Sequence, residues 1–276
     1  MKLLISSIAL FFMTFPSGAW ALHLRLPDRA YQGDLVVGQI EPVGTVTLKG
    51  KKLPVSSGGY FLIGVPRLQK TDLLIKAMHG NKKVSGTVMV MAYKWKVQHI
   101  DGLPKSQVSP PPKAVKRIKN DNKKVRKIRQ AGIHPVPLFL RGGFITPVKG
   151  RITGVYGSQR ILNGQPRSPH SGVDIAAAKG TPIVSPANGI VRLAAKDMYL
   201  MGNTLMIDHG MGLVSIFIHL DSISADEGQR VAQGEIVARV GNTGRTTGPH
   251  LHWGISVGST SIDPARLLKK KLLPQQ

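Results

Sequence analysis

The sequence predicts a mainly β chain, in which two β domains are joined by a helical linker. Short apolar runs bounded by glycine and proline recur roughly every ten residues before residue 99 and again after residue 144, as in antiparallel sheets. Between them, a basic segment carries apolar residues at helical spacing. The expected division is a β-sandwich over 22–99, a linker over 100–143 and an antiparallel β-sheet domain over 144–270.

The composition limits the classes of function. Among 276 residues there are 38 Lys and Arg against 14 Asp and Glu, which gives a formal net charge of +24, and there is no cysteine. The lack of cysteine excludes disulfides, thiolate zinc sites and cysteine nucleophiles. The positive charge predicts attraction to a polyanion: nucleic acid, an anionic membrane or a carboxylate-rich cell-wall polymer. Charge alone does not choose among these three.

The first 21 residues have the pattern of a cleaved export signal. Lys2 supplies a positive start, residues 3–15 are almost wholly apolar, and residues 19–21 form a small-x-small cleavage site. A membrane anchor is the alternative, but spanning a bilayer takes about 20 apolar residues, and this run is broken at residues 16–18. We therefore expect an exported protein whose mature chain has no transmembrane helix.

The expected sandwich over residues 22–99 is assigned an immunoglobulin-like fold. Its apolar runs fall at 35–37, 46–48, 60–63, 73–75 and 88–90. This part of the sequence contains no cluster of His, Asp or Glu. We interpret it as a structural or docking module that carries no chemistry.

The linker begins with prolines at 110–112 and continues as a basic helix. Residues 113–130 hold nine Lys and Arg against the single acid Asp121. An apolar stripe is expected to pack while the charges stay solvated; it consists of Val115, Ile118, Val125 and Ile128. A nucleic-acid-binding helix is the alternative, but neither interleaved aromatic residues nor zinc-finger spacing supports it.

Two predicted strands of the C-terminal domain carry histidines. In residues 212–220, alternation places Val214 and Ile216 on the core face and Phe217 and His219 on the opposite face. In residues 249–257, Leu251 and Trp253 are expected to face the core, while His250 and His252 share the other face. A strand with histidines at i and i+2 can offer two imidazoles to one centre.

A third segment adds an imidazole and a carboxylate. His170 and Asp174 lie where a turn-rich loop is expected to enter a strand. Imidazoles with a carboxylate suit zinc, and three protein ligands leave a position for water, which distinguishes a catalytic zinc site from a structural one. Spacing does not decide which histidines bind the metal. The other histidines are interpreted as structural or ordinary surface residues; they are His23, His79, His99, His134 and His209.

These motifs resemble those of the LytM/lysostaphin-type zinc metalloendopeptidases. Residues 169–174 are similar to the family's H-x-x-x-D motif, and residues 248–252 are similar to its H-x-H motif. Shorter similar signatures lie at 154–157, 180–183, 189–191, 241–244 and 263–264. The resemblance covers residues 144 to about 268. Upstream, the sandwich and residues 100–104 resemble exported Gram-negative members less specifically.

The resemblance implies a role for each site residue. His170, Asp174 and His252 match the family's metal ligands, with one Zn²⁺ per chain, and His219 and His250 match its two catalytic histidines. Phe217 departs from the family pattern, which often has tyrosine at that position. The retained ligands distinguish the chain from degenerate members that activate amidases.

The resemblance also implies an activity and a place in the cell. A protein similar to peptidoglycan DD-endopeptidases would hydrolyse peptide cross-links in the periplasm or envelope of a Gram-negative bacterium. Its partners would be the stem peptides and cross-links of peptidoglycan and an anionic envelope surface, with nucleic acid not expected as a partner. A noncatalytic cell-wall-binding or amidase-regulating protein on the same fold is the alternative. A further hypothesis is that the sandwich or the linker helix covers the cleft.

Overall fold

The computed structural model describes residues 21–104, 108–131, 136–140 and 143–268. The predicted export signal therefore lies, except for Ala21, outside the described residues. The mainly β fold is confirmed, since strands dominate both ends of the chain and one long helix separates them. None of the helices in the described ranges is both long enough and apolar enough to cross a bilayer.

The N-terminal region forms two sheets around one apolar core. Its strands are β1 His23–Arg25, β2 Arg29–Tyr31, β3 Leu35–Glu41, β4 Thr45–Leu48, β5 Lys51–Leu53, β6 Tyr60–Gly64, β7 Leu73–His79 and β8 Lys82–Met91. One sheet has the order β1-β3-β6 and the other β2-β8-β7-β4-β5. Val36 and Phe61 from the first sheet pack with Ile75 and Val88 from the second, so the two sheets form a sandwich. Its immunoglobulin-like assignment stays a prediction.

The end of the sandwich region and the linker both contact the C-terminal domain. Strand β9 (Val97–Ile100) pairs in parallel with a strand of that domain, Gln159–Leu162. Helix α1 (Pro112–Ala131) covers the predicted basic helix, and a 3-10 turn follows at Leu138–Leu140. The predicted apolar stripe is used in part: Val125 and Ile128 pack on the C-terminal sheet, whereas Val115 is 37% exposed.

A large sheet builds the C-terminal domain. Its strands are β10 Arg151–Gly154, β13 Gly172–Ala176, β14 Pro182–Val184, β15 Gly189–Met198, β16 Gly202–Asp208, β17 Leu213–Ile223, β18 Arg230–Val231, β19 Ile236–Val240, β20 His250–Val257 and β21 Thr260–Ile262. Their main order is β10-β13-β20-β17-β16-β15-β18, with all pairs antiparallel. The strand Gln159–Leu162 is β11, which also pairs with β12 (Gln165–Pro166), and a short helix α2 spans Pro264–Leu267.

The two histidine-bearing strands lie side by side in this sheet. In β20 the predicted faces are confirmed, because Leu251 and Trp253 are fully buried in the main core. In β17 the predicted core face is wrong: Phe217 belongs to the main core, and Val214 and Ile216 face a second cluster together with α1. Both faces of β17 are therefore covered, so strand alternation could not identify the main core.

Candidate metal centre

Strand pairing brings together the candidate ligands His170, Asp174 and His252. Asp174 of β13 lies directly opposite His252 of β20, and residues paired in this way point to the same face of a sheet. His170 precedes β13 and is held by its backbone: its N–H donates to the carbonyl of Ser158, and its carbonyl accepts from Gly157 N–H. The fold therefore fixes all three residues through main-chain contacts.

The three donor atoms form a tight triangle. His170 Nε2 lies 2.9 Å from Asp174 Oδ1, His252 Nδ1 lies 2.8 Å from the same oxygen, and the two nitrogens are 2.8 Å apart. All three side chains are buried. The cluster is thus a set of convergent Lewis bases shielded from water.

The chemistry of this donor set fits a metal ion. His170 Nδ1 lies 3.1 Å from the carbonyl oxygen of Val155, which only accepts, so the ring proton belongs on Nδ1. Nε2 then directs a lone pair at Asp174 and His252, an arrangement that a cation between the three atoms stabilises. Two imidazoles and one carboxylate are a ligand set that Zn²⁺ uses in proteins.

The electrostatics of the cluster keep the carboxylate of Asp174 charged and the rings of His219 and His252 neutral. Burial raises the pKa of Asp174, but its contacts with His170 and His252 outweigh burial and hold that pKa far below its usual value. Arg160 Nη2 lies 2.7 Å from Asp174 Oδ2 and pairs with the second oxygen. Burial lowers the pKa of His252 to about 4 and, together with neighbouring imidazoles, that of His219 to about 3.

His219 and His250 lie beside this triangle, with ring centroids 4.9 Å apart. His219 Nδ1 contacts the carbonyl oxygen of Thr243 at 2.8 Å, and His250 Nδ1 contacts that of Gly248 at 2.9 Å. These carbonyls place the ring protons on Nδ1, which leaves each Nε2 as an acceptor. His250 Nε2 is 3.9 Å from Asp174 Oδ1. All five predicted site residues therefore meet in one cleft, while their roles stay predictions.

A backbone irregularity directs His219 into the cleft. Its φ is +65°, in the left-handed region, and the pairing of β17 with β16 shifts register nearby. Regular alternation from Phe217 would have placed His219 on the core side, but Ile218 and His219 both line the cavity, and Leu220 returns to the core. A bulge of this kind redirects one side chain within a strand.

The remaining histidines lie outside the cleft. His209 is fully buried between its neighbours, with Nδ1 at 2.9 Å from the carbonyl oxygen of Asn188 and Nε2 at 2.8 Å from Ser215 Oγ. These contacts agree with its interpretation as a structural residue. His23, His79 and His99 are exposed, and His134 lies outside the described residues.

Sequence reasoning missed the arginines around the cluster. A cavity of about 420 Å³ next to the three candidate ligands is lined by Arg129 of α1, Arg160 of β11 and Arg245 of the loop before β20. Neither the turn-rich segment around Arg160 nor the charge run of α1 indicates a site by itself, because only the folded chain brings these residues together. Arg245 lies between the glycine-containing motifs at 241–244 and 248–252, and this position is a sequence signal that could have indicated a site residue.

An antiparallel sheet that presents a buried His-Asp-His set beside two further histidines defines a metallopeptidase-like domain. Residues 168–264 match the model of peptidase family M23, and this part of the chain is an M23 peptidase domain of the LytM type. The described fold also resembles a crystal structure of a peptidase M23 candidate from Pseudomonas aeruginosa. That likeness has a TM-score of 0.66 and 26% identity, and it covers 86% of this chain and 94% of the other.

Curated relatives match part of this chain. Peptidoglycan DD-endopeptidase ShyA of Vibrio cholerae is 36% identical over 116 residues, which cover 42% of this chain and 27% of ShyA. DD-carboxypeptidase/endopeptidase Mpg of Neisseria meningitidis is 40% identical over 96 residues, which cover 34% of this chain and 22% of Mpg. The matches span between 20% and 37% of the length of the curated relatives.

Proposed function

We propose that this chain is an exported zinc-dependent endopeptidase that hydrolyses peptide cross-links of bacterial peptidoglycan. The observation that carries the proposal is the buried triangle of His170, Asp174 and His252 with two further histidines in the same cleft. The M23 peptidase domain and the relatives named as peptidoglycan endopeptidases support the same activity.

The residues suited to hold the metal are the three of the triangle. His170 Nε2, Asp174 Oδ1 and His252 Nδ1 are the atoms that converge, and Arg160 fixes the second carboxylate oxygen. When bound, Zn²⁺ lowers the pKa of a water ligand toward about 7 and polarises a carbonyl group. The arginine contact orients Asp174, as groups behind metal ligands commonly do.

His219 and His250 supply the proton transfers in this proposal. Because each ring places its proton on Nδ1 against a backbone carbonyl, each Nε2 can take a proton from the attacking water. The same nitrogen, once protonated, can stabilise the oxyanion and donate to the leaving amine. The two histidines carry out these steps as a pair.

The substrate and the location belong to the same proposal. Stem peptides of peptidoglycan carry carboxylates, and the net charge of +24 favours binding to such a polymer and to anionic lipid surfaces in the envelope. The export signal over residues 1–21 supports a place in the periplasm or envelope of a Gram-negative bacterium. In this proposal the chain comprises a sandwich over residues 22–99, a linker over 100–143 and a catalytic domain over 144–270.

Digestion of purified sacculi tests the activity. The zinc-loaded mature chain should release peptides from cross-links, identified by mass spectrometry, and a chelator should stop the release. His219→Ala and His250→Ala should each lower turnover at least about 100-fold, with zinc content near one per chain by atomic emission.

The matched control for both substitutions is His79→Ala, since His79 is an exposed histidine of the sandwich. This variant should keep wild-type turnover. Loss of zinc from either cleft variant would contradict the assignment of His219 and His250 to proton transfer. A zinc-loaded wild type that releases no peptide would favour the noncatalytic cell-wall-binding or amidase-regulating alternative.

A further inference from the structure

The cavity beside the candidate metal centre has a wall rich in arginine. Arg129, Arg160 and Arg245 line it from three different parts of the chain. The one acidic residue among the described lining residues is Asp121, and its Oδ2 accepts the backbone N–H of Tyr199 at 2.9 Å. Among the described lining residues of this cavity, arginines therefore outnumber acidic residues.

Arg129 is the clearest case of an unmet donor. It lies on the inner side of α1, its Nε is inaccessible to solvent and has no hydrogen-bond partner, and it forms no ion pair with any part of the chain that the structure describes. Burial alone lowers its pKa. A buried charged donor without a partner is costly, so its retention at a cavity wall points to a ligand that supplies the acceptor.

Arg160 and Arg245 extend the same surface. Arg160 uses one Nη atom on Asp174, but its Nε is buried without a partner. Arg245 lines the same cavity as Arg160 and Arg167. Burial, followed by the charges of these two arginines, lowers the pKa of Arg245. Like charges gathered in a half-enclosed space are stabilised when an anion binds between them.

The chemistry of the wall selects a carboxylate. The planar guanidinium fork matches a carboxylate or phosphate with two parallel hydrogen bonds. The cavity continues to His170, His219 and His252, where the proposed function places a peptide. A peptide held at the metal centre brings its own carboxylates into the cavity, whereas a phosphate would have to come from another molecule.

We propose that Arg129, Arg160 and Arg245 form a subsite that binds a carboxylate group of the peptide substrate next to the scissile bond. This inference rests on the proposed function for the identity of the peptide. It makes α1 a wall of the substrate cleft, because Arg129 of the linker helix contacts the ligand. The linker therefore contributes a binding residue, and the C-terminal sheet supplies the reacting centre.

Binding to metal-free protein tests the subsite without turnover. The full mature chain is treated with chelator and titrated calorimetrically with a purified cross-linked muropeptide dimer, and then with the same dimer after its carboxyl groups have been amidated. The wild type should bind the free-carboxyl dimer at least about tenfold more tightly than the amidated dimer. In Arg129→Gln, most of this preference should be lost.

Arg126→Gln is the matched control, because it removes the same charge from an exposed position on the same helix. It should keep the wild-type preference. Arg245→Gln is a second test variant, which reports on the cavity without altering α1, and it should also lose most of the preference. Thermal unfolding of each variant verifies that it is folded.

Equal affinity of the wild type for the two dimers, or an unchanged preference in both Arg129→Gln and Arg245→Gln, would overturn the subsite. A wild type that prefers the free-carboxyl dimer but never releases peptide from sacculi would support the subsite and contradict only the proposed peptidase activity. The two proposals can therefore fail separately.

Discussion

At the scale of single residues, Gly154 is required by the space around the candidate ligands. An added Cβ would overlap Asp174 Oδ2 and lie 2.9 Å from His170 Cε1. Both atoms belong to side chains held in the buried triangle, so neither can move away without disturbing it. Steric constraint therefore explains why the signature at residues 154–157 begins with glycine.

Gly154→Ala should weaken zinc binding at least about tenfold, because the new methyl group displaces the carboxylate of Asp174. Competition with a chromophoric chelator measures the affinity. Gly58→Ala is the matched control, since the nearest group to its added Cβ would be the Tyr60 ring of the sandwich, at 3.3 Å. Wild-type zinc affinity in Gly154→Ala would show that the carboxylate does not contribute to the metal site.

His209 makes the stability of the fold depend on pH. Burial lowers its pKa from 6.5 to about 4, against a weaker opposite effect of its contact with the Asn188 carbonyl. The unfolded chain therefore binds a proton at this residue at a higher pH than the folded chain does. Stability from this residue is fully present above pH 6.5 and is lost as the pH falls toward 4.

His209→Gln should remove this contribution. Between pH 7 and pH 4, the wild type should lose about 3 kcal/mol more unfolding free energy than the variant. Urea unfolding at a series of pH values measures the difference. His79→Gln, at an exposed position, should follow the wild-type profile. Parallel profiles for the wild type and His209→Gln would contradict the argument.

At the scale of elements, β20 was predictable from sequence and β17 was not. In β20 a strict period of two separates His250 and His252 from the apolar residues, so the pattern fixes the face. In β17 apolar residues occupy both faces, and the left-handed backbone at His219 interrupts the period. Such a bulge is stabilised by contacts with other strands, which local sequence does not encode.

Helix α1 shows the same limit. Its helical period was readable, but its packing partners lie 65 residues or more further along the chain, in β15 to β17. Only Val125 and Ile128 of the predicted stripe pack in that cluster. The cleft wall that the helix forms, with Arg129 among its residues, therefore became visible only in the folded structure.

Val125→Ala should loosen α1 from the sheet. Val125 is 8% exposed and packs against Met206 and Val214, so truncation leaves a cavity that costs about 2 kcal/mol. Urea unfolding measures the cost, and hydrogen exchange should show faster opening of α1. Val115→Ala, on the same helix but 37% exposed, should change stability by about 0.5 kcal/mol or less. Similar losses for both variants would argue against specific docking of the helix.

At the scale of the whole molecule, the sandwich is joined to the peptidase domain through partly buried polar contacts. Arg266 of α2 lies with Nη1 2.9 Å from Asp34 Oδ1 and donates to the carbonyl of Gln32 at 3.2 Å. Its guanidinium also lies 4.4 Å from the ring centroid of Tyr93. These partners are more than 170 residues from Arg266 in sequence. The chain length and the pattern of apolar runs predict two domains, but they do not predict this contact, because no local pattern marks the partners.

Arg266→Gln should uncouple the two domains. Asp34 is 8% exposed, so removal of its cationic partner leaves a buried carboxylate unpaired and should cost about 3 kcal/mol. Because that cost falls on the interface, calorimetry should show one unfolding transition in the wild type and two in the variant.

Arg25→Gln is the control for this prediction. The pair of Arg25 with Glu41 spans 3.3 Å between side chains that are 66% and 54% exposed, and its loss should cost about 0.5 kcal/mol or less. A single transition at the wild-type temperature in Arg266→Gln would mean that other contacts, such as that of Tyr156 with Trp95, hold the two domains together.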